Sequence, residues 1–405
     1  MKNRSKNYKK IVLTLIVILD ILLIIGILYW YIPSQKTLDS FEVTNSKKNN
    51  VSQVQNITGR YLFNGTVVWA RAVEKDSLKP DGSYDYNHPF SQLDTFNREA
   101  YDAWVTDFEC PITKNVVPFQ TQINDLIFNC RPEFLPYATK YFNIFNFANN
   151  HSDNQNGQVG LDESRATLDG FPETQYFGTF DSSVTKDICE VIALPVNIVK
   201  SDKTNTKDYL PVAFCGWHYF LRNPNPGEIE VMKKYAEVMP VFAFSEMGLE
   251  YQAQASGSQI DNAHKIIDAG SEFLVANNPH WVQNTEVYKN KLIIYSTGNF
   301  IFDQIEPETQ RSVSLDVIAT VKYDDNIKQW LTIGKDCLKF QDDCLEKAKQ
   351  KRLKKPKLSY KFGIVAGQGG NKKVTHKADE ATQKEVELRT NWVDTCSNLP
   401  KDSCQ

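Results

Sequence analysis

The sequence predicts a layered α/β domain, because segments typical of strands and of helices alternate along most of its 405 residues. Apolar runs such as Ala103–Phe108 and Val241–Phe244 have the length of buried strands. The segment Ser258–Ala269 instead repeats apolar residues at helical spacing and is followed by Gly270, a typical helix cap. The alternation continues to residue 335, so we expect one large domain over residues 57–335.

The elements of this domain follow in chain order from their apolar runs and turns. The segments predicted as strands are 57–71, 103–108, 144–147, 188–199, 210–217, 241–244, 273–276, 291–296 and 313–321. The segments predicted as helices are 132–140, 158–170, 228–238 and 258–269. Asn64-Gly65 predicts an interruption in the first strand, and the run Trp330–Ile333 after a polar turn predicts a closing hairpin.

The amino-terminal part predicts a membrane anchor. Residues 11–32 are almost all apolar and long enough to cross a ~30 Å hydrocarbon core as a helix. Residues 1–10 are basic, which places them in the cytoplasm and the bulk of the chain outside. The alternative is a cleaved signal peptide, although no small-residue cleavage site follows the run. Residues 33–56 predict a polar linker, and Asp20 is either a functional intramembrane carboxyl or a tolerated one.

Composition limits the partners and the compartment. The net charge of −3 does not indicate a nucleic-acid partner. All eight cysteines follow the apolar run, where an exported position permits disulfides. Three pairs have spacings or positions that suit disulfides, namely Cys337 with Cys344, Cys396 with Cys404, and Cys110 with Cys130. Cys189 and Cys215 lie in strand-like runs and could instead be buried thiols, so the connectivity stays open.

The last part of the chain, residues 336–405, is charged and lysine-rich and predicts a C-terminal extension that packs on the domain or hangs partly loose. Residues 347–357 alone carry seven basic side chains. Such a run is usually a solvated face. The functional alternative is electrostatic capture of an anionic polymer or of lipid headgroups.

Polar side chains follow the predicted strands at several of their carboxyl ends, which is where ligands bind in open α/β sheets. The most informative run has Asn149, Asn150 and His151 directly after a buried strand. The residues that follow other strands in this way are Glu109, Glu246, Asn277, Asn278, His280 and Asn299. Amides, carboxylates and neutral imidazoles are suitable metal ligands.

In order and content these segments resemble the motifs of the bacterial CapA family, the poly-γ-glutamate capsule biosynthesis proteins, which are related to calcineurin-like metallophosphoesterases. The matching segments are Gly59-Arg60, 107–113, Ala148-Asn149-Asn150-His151, 246–251, 276–280 and 295–300. The resemblance covers roughly residues 59–303 and implies a metallophosphoesterase-like two-sheet sandwich flanked by helices. In this chain one N-terminal transmembrane helix would precede that sandwich.

The departures from the family pattern concern its metal positions. Where the family has an Asp and several His, this chain has Arg60, Glu246, Asn277 and Asn278. A guanidinium cannot ligate a metal, so we expect at most one divalent ion, Mn, Fe or Zn, or none. The resemblance implies that the ligands of a single ion would be Glu109, Asn150, His151 and His280. We also expect Arg60 and Glu246 to form an ion pair at the metal position.

By the same resemblance, the candidate catalytic residues are Glu109, His151 and His280, and the candidate substrate-binding residues are Arg60, Asn149, Glu246, Asn278 and Asn299. The sequence therefore predicts a membrane-anchored, extracytoplasmic protein that acts in synthesis, attachment or export of an anionic cell-surface polymer, with a degenerate metal site. Two alternatives stay open. One is an active metal-dependent hydrolase, phosphoesterase or transferase on an envelope substrate. The other is a non-catalytic scaffold in a membrane biosynthetic complex that uses the membrane helix and Asp20.

Overall fold

One long strand, β1 (Val54–Val67), connects the two halves of the sheet. The computed structural model describes residues 54–181, 188–200, 204–220, 225–338, 341–370 and 373–405. The predicted cytoplasmic residues 1–10, the anchor 11–32, Asp20 and all but the last three residues of the linker 33–56 lie outside this described part. Among the described residues, every helix is too short or too polar to span a bilayer.

The other strands are β2 (Ala103–Phe108), β3 (Ile144–Asn146), β4 (Gln175–Phe177), β5 (Cys189–Lys200), β6 (Asn205–Cys215), β7 (Val241–Glu246), β8 (Phe273–Asn277), β9 (Thr285–Tyr288), β10 (Lys291–Ile294), β11 (Asn299–Ile301), β12 (Arg311–Lys322), β13 (Ser359–Gln368) and β14 (His376–Lys377). The helices are α1 (Arg71–Asp76), α2 (Phe119–Asp125), α3 (Leu135–Ala138), α4 (Gln158–Leu168), α5 (Pro226–Ala236), α6 (Gly257–Asp268), α7 (Asp325–Cys337), α8 (Gln341–Gln350), α9 (Glu380–Thr390) and α10 (Trp392–Asn398).

The sheet is mixed and divides into two layers at β1. Its main strand order is β14-β13-β12-β1-β5-β6-β7-β8-β10-β9, and β2, β3 and β4 extend from β1 on a separate branch. The first residues of β1 pair antiparallel with β5, whereas its second half pairs parallel with β2. Because β1 changes its neighbour midway, the strands on either side diverge into two layers.

Ring contacts between strands that are not neighbours place the core between these layers. Phe242 of β7 lies 5.9 Å from Tyr360 of β13, and Phe273 of β8 lies 5.6 Å from Phe362 of the same strand (ring centroids). Each buried aromatic ring removes a large apolar area from water and stabilises the facing arrangement. The mixed α/β architecture that the sequence predicts is therefore confirmed.

The predicted interruption of the first strand is present and has a steric cause. The register between β1 and β2 shifts between Asn64 and Thr66. A Cβ atom on Gly65 would lie only 2.0 Å from the carbonyl oxygen of Gly298, so only glycine permits this approach. The shift delivers Thr66 to the carboxyl end of β1, where its amide donates to Gly298 O at 3.1 Å.

The predicted closing hairpin at Trp330–Ile333 is wrong, because these residues belong to α7. The Asp324 carboxylate accepts a hydrogen bond from the amide of Ile327 at 2.8 Å and caps the helix. Ile327, Trp330 and Leu331 then bury one face at helical spacing. Residues of the predicted extension 336–405 supply β13, which pairs with β12 along its whole length.

The structure contains four disulfides: Cys110–Cys130, Cys189–Cys215, Cys337–Cys344 and Cys396–Cys404. All eight cysteines fall within the described residues, and none of them is free. The alternative that Cys189 and Cys215 are buried thiols is wrong, since these residues lie directly opposite each other on β5 and β6.

We expect replacement of both Cys189 and Cys215 by Ala to lower the free energy of unfolding by about 3 kcal/mol, because their bridge closes a loop of 26 residues. Urea denaturation measures the loss. The Cys337/Cys344 double Ala variant, whose bridge spans 7 residues, is the control and should lose less. Alkylation of the unreduced, unfolded protein at any cysteine would contradict the four bridges.

Candidate functional site

Three acidic side chains meet where β1, β2, β7 and β8 end. Asp107 on β2 pairs in register with Thr66 on β1, and Glu246 on β7 pairs with Asn277 on β8. Glu109 follows β2 by one residue, and all three acids are at most 3% exposed. Burial of like charges at one edge is costly unless hydrogen bonds, protons or cations compensate them.

Neutral donors compensate Asp107. Its Oδ2 accepts hydrogen bonds from Asn277 Nδ2 at 3.0 Å and from the Thr66 hydroxyl at 3.4 Å. Its Oδ1 accepts from Asn146 Nδ2 at 3.4 Å. Burial nevertheless raises the pKa of Asp107 to about 7. Both carboxyl oxygens are therefore hydrogen-bonded, Oδ2 by an amide and a hydroxyl and Oδ1 by an amide.

Glu109 and Glu246 are less completely compensated. Burial, followed by the charge of Asp107, raises the pKa of each well above its ordinary value. Glu246 Oε2 accepts a hydrogen bond from the amide of Asn150 at 2.9 Å. Glu109 Oε1 lies 3.6 Å from His151 Nε2, and Glu109 Oε2 has no hydrogen-bond partner among the described residues.

The two candidate histidines are neutral at pH 7. The His151 ring stacks on Phe128 at 3.9 Å, and its burial lowers its pKa. Burial lowers the pKa of His280 to about 4. His280 Nδ1 lies 2.8 Å from Asn299 Oδ1, while Asn299 Nδ2 donates to Gln304 Oε1. Asn299 Oδ1 is thus an acceptor, which assigns the proton to Nδ1 and leaves a lone pair on Nε2.

The cation beside these groups is Arg71, at the start of α1. Its Nε lies 3.1 Å from Asp303 Oδ2, and its guanidinium lies over the rings of Phe128 and Phe302 at 4.8 and 5.9 Å. Its positive charge lowers the pKa values of Glu109 and both histidines, although burial has the larger effect on each. Arg71 adopts a left-handed backbone with φ of 55°, a strained conformation that surrounding contacts must maintain.

The expected ion pair between Arg60 and Glu246 is wrong. Arg60 binds Asp316 in bidentate fashion, with Nε 3.0 Å from Oδ1 and Nη2 2.5 Å from Oδ2. It also lies over the Tyr101 ring at 4.8 Å. Arg60 precedes Thr66 by six residues on an extended strand, roughly 20 Å from the strand end. Arg60 therefore lies too far from the strand end to bind a substrate there, contrary to the role expected from the sequence.

The candidate amides hold the site's own loops. Asn149 Nδ2 donates to Phe108 O at 2.7 Å, and Asn149 Oδ1 accepts from the amide of His151 at 3.0 Å. Asn278 Nδ2 donates to Gly248 O at 2.6 Å. The structure therefore brings these amides and Asn299 to the site as shaping residues, and their contacts with a substrate stay predictions.

The sequence did not identify Thr66 or Arg71 as site residues. It also did not predict that Asp107 and Asn277 hydrogen-bond each other in the site. The family's Gly-x start was assigned to Gly59-Arg60, but Gly65-Thr66 also fits it and lies at the strand's carboxyl end. The position of the apolar run Tyr61-Leu62-Phe63 was the available signal, because a site residue should follow such a run. Thr66 then stands where the resemblance places an acid.

These donors fit one divalent cation better than two. Glu109 Oε2 and Asn150 Oδ1 are both buried without a hydrogen-bond partner among the described residues, and oxygen donors suit such an ion. A two-metal centre does not fit, because Thr66 and Asn277 direct neutral donors at Asp107. Within the described ranges, no three His, Cys, Asp or Glu residues meet in a metal-holding arrangement. A single ion would thus depend on the Asn150 amide.

We expect Thr66→Asp to raise the affinity for Mn²⁺ by about tenfold, because it adds a carboxylate beside Asp107. Arg60→Asp is the control and should leave that affinity unchanged, while the loss of Asp316's partner lowers the free energy of unfolding by about 2 kcal/mol. Calorimetric titration and urea denaturation measure the two effects. If Arg60→Asp raised the Mn²⁺ affinity and Thr66→Asp did not, Arg60 would occupy the metal position after all.

Comparison with known proteins agrees with the motif order. The family model described as "Bacterial capsule synthesis protein PGA_cap" matches residues 60–194 and 219–304, together more than half of the chain. A solved structure, the calcineurin-like phosphoesterase YfkN from Bacillus subtilis, overlaps 73% of this chain and 99% of its own at 12% identity and a TM-score of 0.35. An overlap this weak assigns neither a shared fold nor an activity.

Two curated relatives carry the CapA name. The chain is 28% identical to the capsule biosynthesis protein CapA of Bacillus anthracis over 178 residues, or 40% of this chain and 41% of that protein. It is 26% identical to the PGA biosynthesis protein CapA of Bacillus subtilis over 259 residues, or 60% of this chain and 63% of that protein. The match thus spans less than two thirds of either relative. The family resemblance is confirmed, and the chain belongs to the bacterial capsule synthesis protein family PGA_cap.

Proposed function

We propose that this protein acts outside the cytoplasmic membrane in the synthesis, attachment or export of an anionic cell-surface polymer such as poly-γ-glutamate. The family and the names of the two relatives support a role in capsule formation. The observation that carries the proposal is a fixed guanidinium, Arg71, beside a strand-edge cluster of acids and neutral imidazoles.

The four disulfides support the extracytoplasmic location. Disulfides persist in oxidising compartments and are rare in the cytoplasm. Residues 11–32, with the basic residues before them, support a single-pass anchor whose amino terminus is cytoplasmic. The same anchor could join the protein to a membrane biosynthetic complex, with Asp20 as a contact.

Arg71 is suited to hold a carboxylate or phosphate of the polymer. Its Nε lies 3.1 Å from Asp303 Oδ2 but makes no hydrogen bond to any described residue, so the guanidinium keeps donors for an incoming anion. A guanidinium binds carboxylates and phosphates through paired, charge-assisted hydrogen bonds. The rings of Phe128 and Phe302 restrict its orientation, which reduces the entropy lost on binding.

A second candidate function, hydrolysis or transfer at a phosphate or amide bond, is favoured by the two unsatisfied oxygens of Glu109 and Asn150. A divalent ion held there, with His151 and His280 as neighbours, would polarise a substrate oxygen. The neutral Nε2 atoms of these imidazoles suit proton transfer or metal binding.

We expect Arg71→Met to weaken binding of oligo-γ-glutamate by roughly tenfold, because a paired charge-assisted hydrogen bond is lost. Calorimetric titration of the full chain in detergent measures the change. Arg71→Lys should recover only part of the affinity, since an ammonium lacks the planar fork. Lys233→Met, a surface residue paired with Glu230, is the control. Equal affinities for wild type and Arg71→Met would remove Arg71 from the substrate contact.

We expect the full chain, purified without chelator, to hold no more than one divalent ion, measured by plasma mass spectrometry. Glu109→Gln should remove that ion together with any hydrolytic activity, because it neutralises the unsatisfied carboxylate. Glu230→Gln on α5 serves as the control. Two bound ions per chain would contradict the conclusion that the site holds at most one divalent ion.

A further inference from the structure

The edge of the sheet opposite the candidate site carries a set of basic side chains. β1 begins there, with Val54 opposite Lys200 and Asn56 opposite Lys322, and β13 begins there with Ser359 opposite Thr320. We call this set the basic edge, and it comprises the exposed residues Lys322, Lys351, Arg352, Lys354, Lys357 and Lys361.

The segment 351–358 crosses this edge between α8 and β13, and its backbone is fixed. Lys354 O accepts hydrogen bonds from Trp330 Nε1 at 2.8 Å and from Asn326 Nδ2 at 2.9 Å. Lys355 Nζ donates to Ala236 O at 3.1 Å. The segment is therefore held in place while the charged ends of its neighbours stay in solvent.

Several acids of this edge are already engaged, although Asp325 at the start of α7 and Glu237 after α5 also lie there. Glu272 pairs with Lys355 at 3.1 Å, and Asp268 pairs with Lys289. Asp324 caps α7 through the amide of Ile327. None of the six basic-edge residues forms an ion pair with another described residue, so their side chains stay available for an anionic ligand.

The same edge is where the chain enters the domain. Residues 33–53 connect the predicted anchor 11–32 to Val54, the first residue of β1. The candidate site lies at the other end of that strand, roughly 30 Å away from Asn56 to Thr66. A basic surface next to a membrane attracts anionic headgroups, with an effect that vanishes within a Debye length.

We propose that the basic edge binds the anionic headgroups of a phospholipid membrane. This goes beyond the proposed function. It depends on the membrane anchor but not on the chemistry of the site. The ligand is phosphatidylglycerol or another anionic phospholipid, recognised by charge.

The test uses the full chain in vesicles of phosphatidylcholine, alone or with about one third phosphatidylglycerol. Lysine acetylation, followed residue by residue by mass spectrometry, reports exposure. We expect Lys354 and Lys357 to react about fivefold more slowly in the anionic vesicles, and the difference to disappear at about 1 M salt. Lys114 and Lys377, both exposed and outside the basic edge, should react equally in both vesicles.

Two variants with basic residues replaced by Gln distinguish an effect of the basic-edge charge from a general effect of such replacements on folding. Replacing Lys351, Arg352, Lys354 and Lys357 together by Gln should remove the protection of Lys322 and Lys361, whereas replacing Lys114, Lys377 and Lys384 by Gln should keep it. Equal labelling of the basic edge in both vesicles would overturn the proposal. Protection by soluble poly-γ-glutamate in neutral vesicles, without protection by anionic lipid, would overturn it as well and assign the edge to the polymer. A chain that does not insert into vesicles would refute the anchor and, with it, the proposal.

Discussion

The burial of Asp107, Glu109 and Glu246 at one edge is the constraint that the site depends on. The charge of Asp107 raises the pKa of Glu109 and of Glu246, and the charge of Glu109 also raises that of Glu246, although burial has the larger effect on both. The structure compensates them unequally, because Asp107 has amide and hydroxyl donors on both oxygens whereas Glu109 keeps one oxygen unsatisfied. The hydrogen-bonding capacity of Asp107 is therefore satisfied within the protein, whereas Glu109 still lacks a donor or a cation for one oxygen.

The positive charge of Arg71 partly offsets the negative charge of the acidic cluster, although Arg71 forms no direct ion pair with Asp107, Glu109 or Glu246. Its partner is Asp303, and its charge acts on Glu109, His151 and His280 across the rings of Phe128 and Phe302. Because the aromatic rings exclude water, the guanidinium is screened less than on an open surface. The result is an edge where an anionic group meets a cation while acids and neutral imidazoles surround it.

The positions of strands and the order of the motifs could be predicted, because apolar runs and the polar residues that follow them are local signals. The residues that carry charge in the site could not all be found in this way. Arg60 and Thr66 lie on the same strand, each after a glycine, and the residue at which that strand ends decides which one reaches the edge. Arg71 acts through rings that are distant in sequence, Phe128 and Phe302, so no spacing rule identifies it.

Thr66 and Asn277 form one hydrogen-bond network around Asp107. Each side chain hydrogen-bonds Asp107, and Asn277 also donates to the Thr66 hydroxyl. A carboxylate at position 66 would face Asp107 directly and would require a cation between them. With a hydroxyl there, Asp107 instead accepts a neutral hydrogen bond from that position. Among the described residues, Glu109 Oε2 and Asn150 Oδ1 at this edge have no hydrogen-bond partner, so a ligand that supplies a donor or a cation there would gain the most.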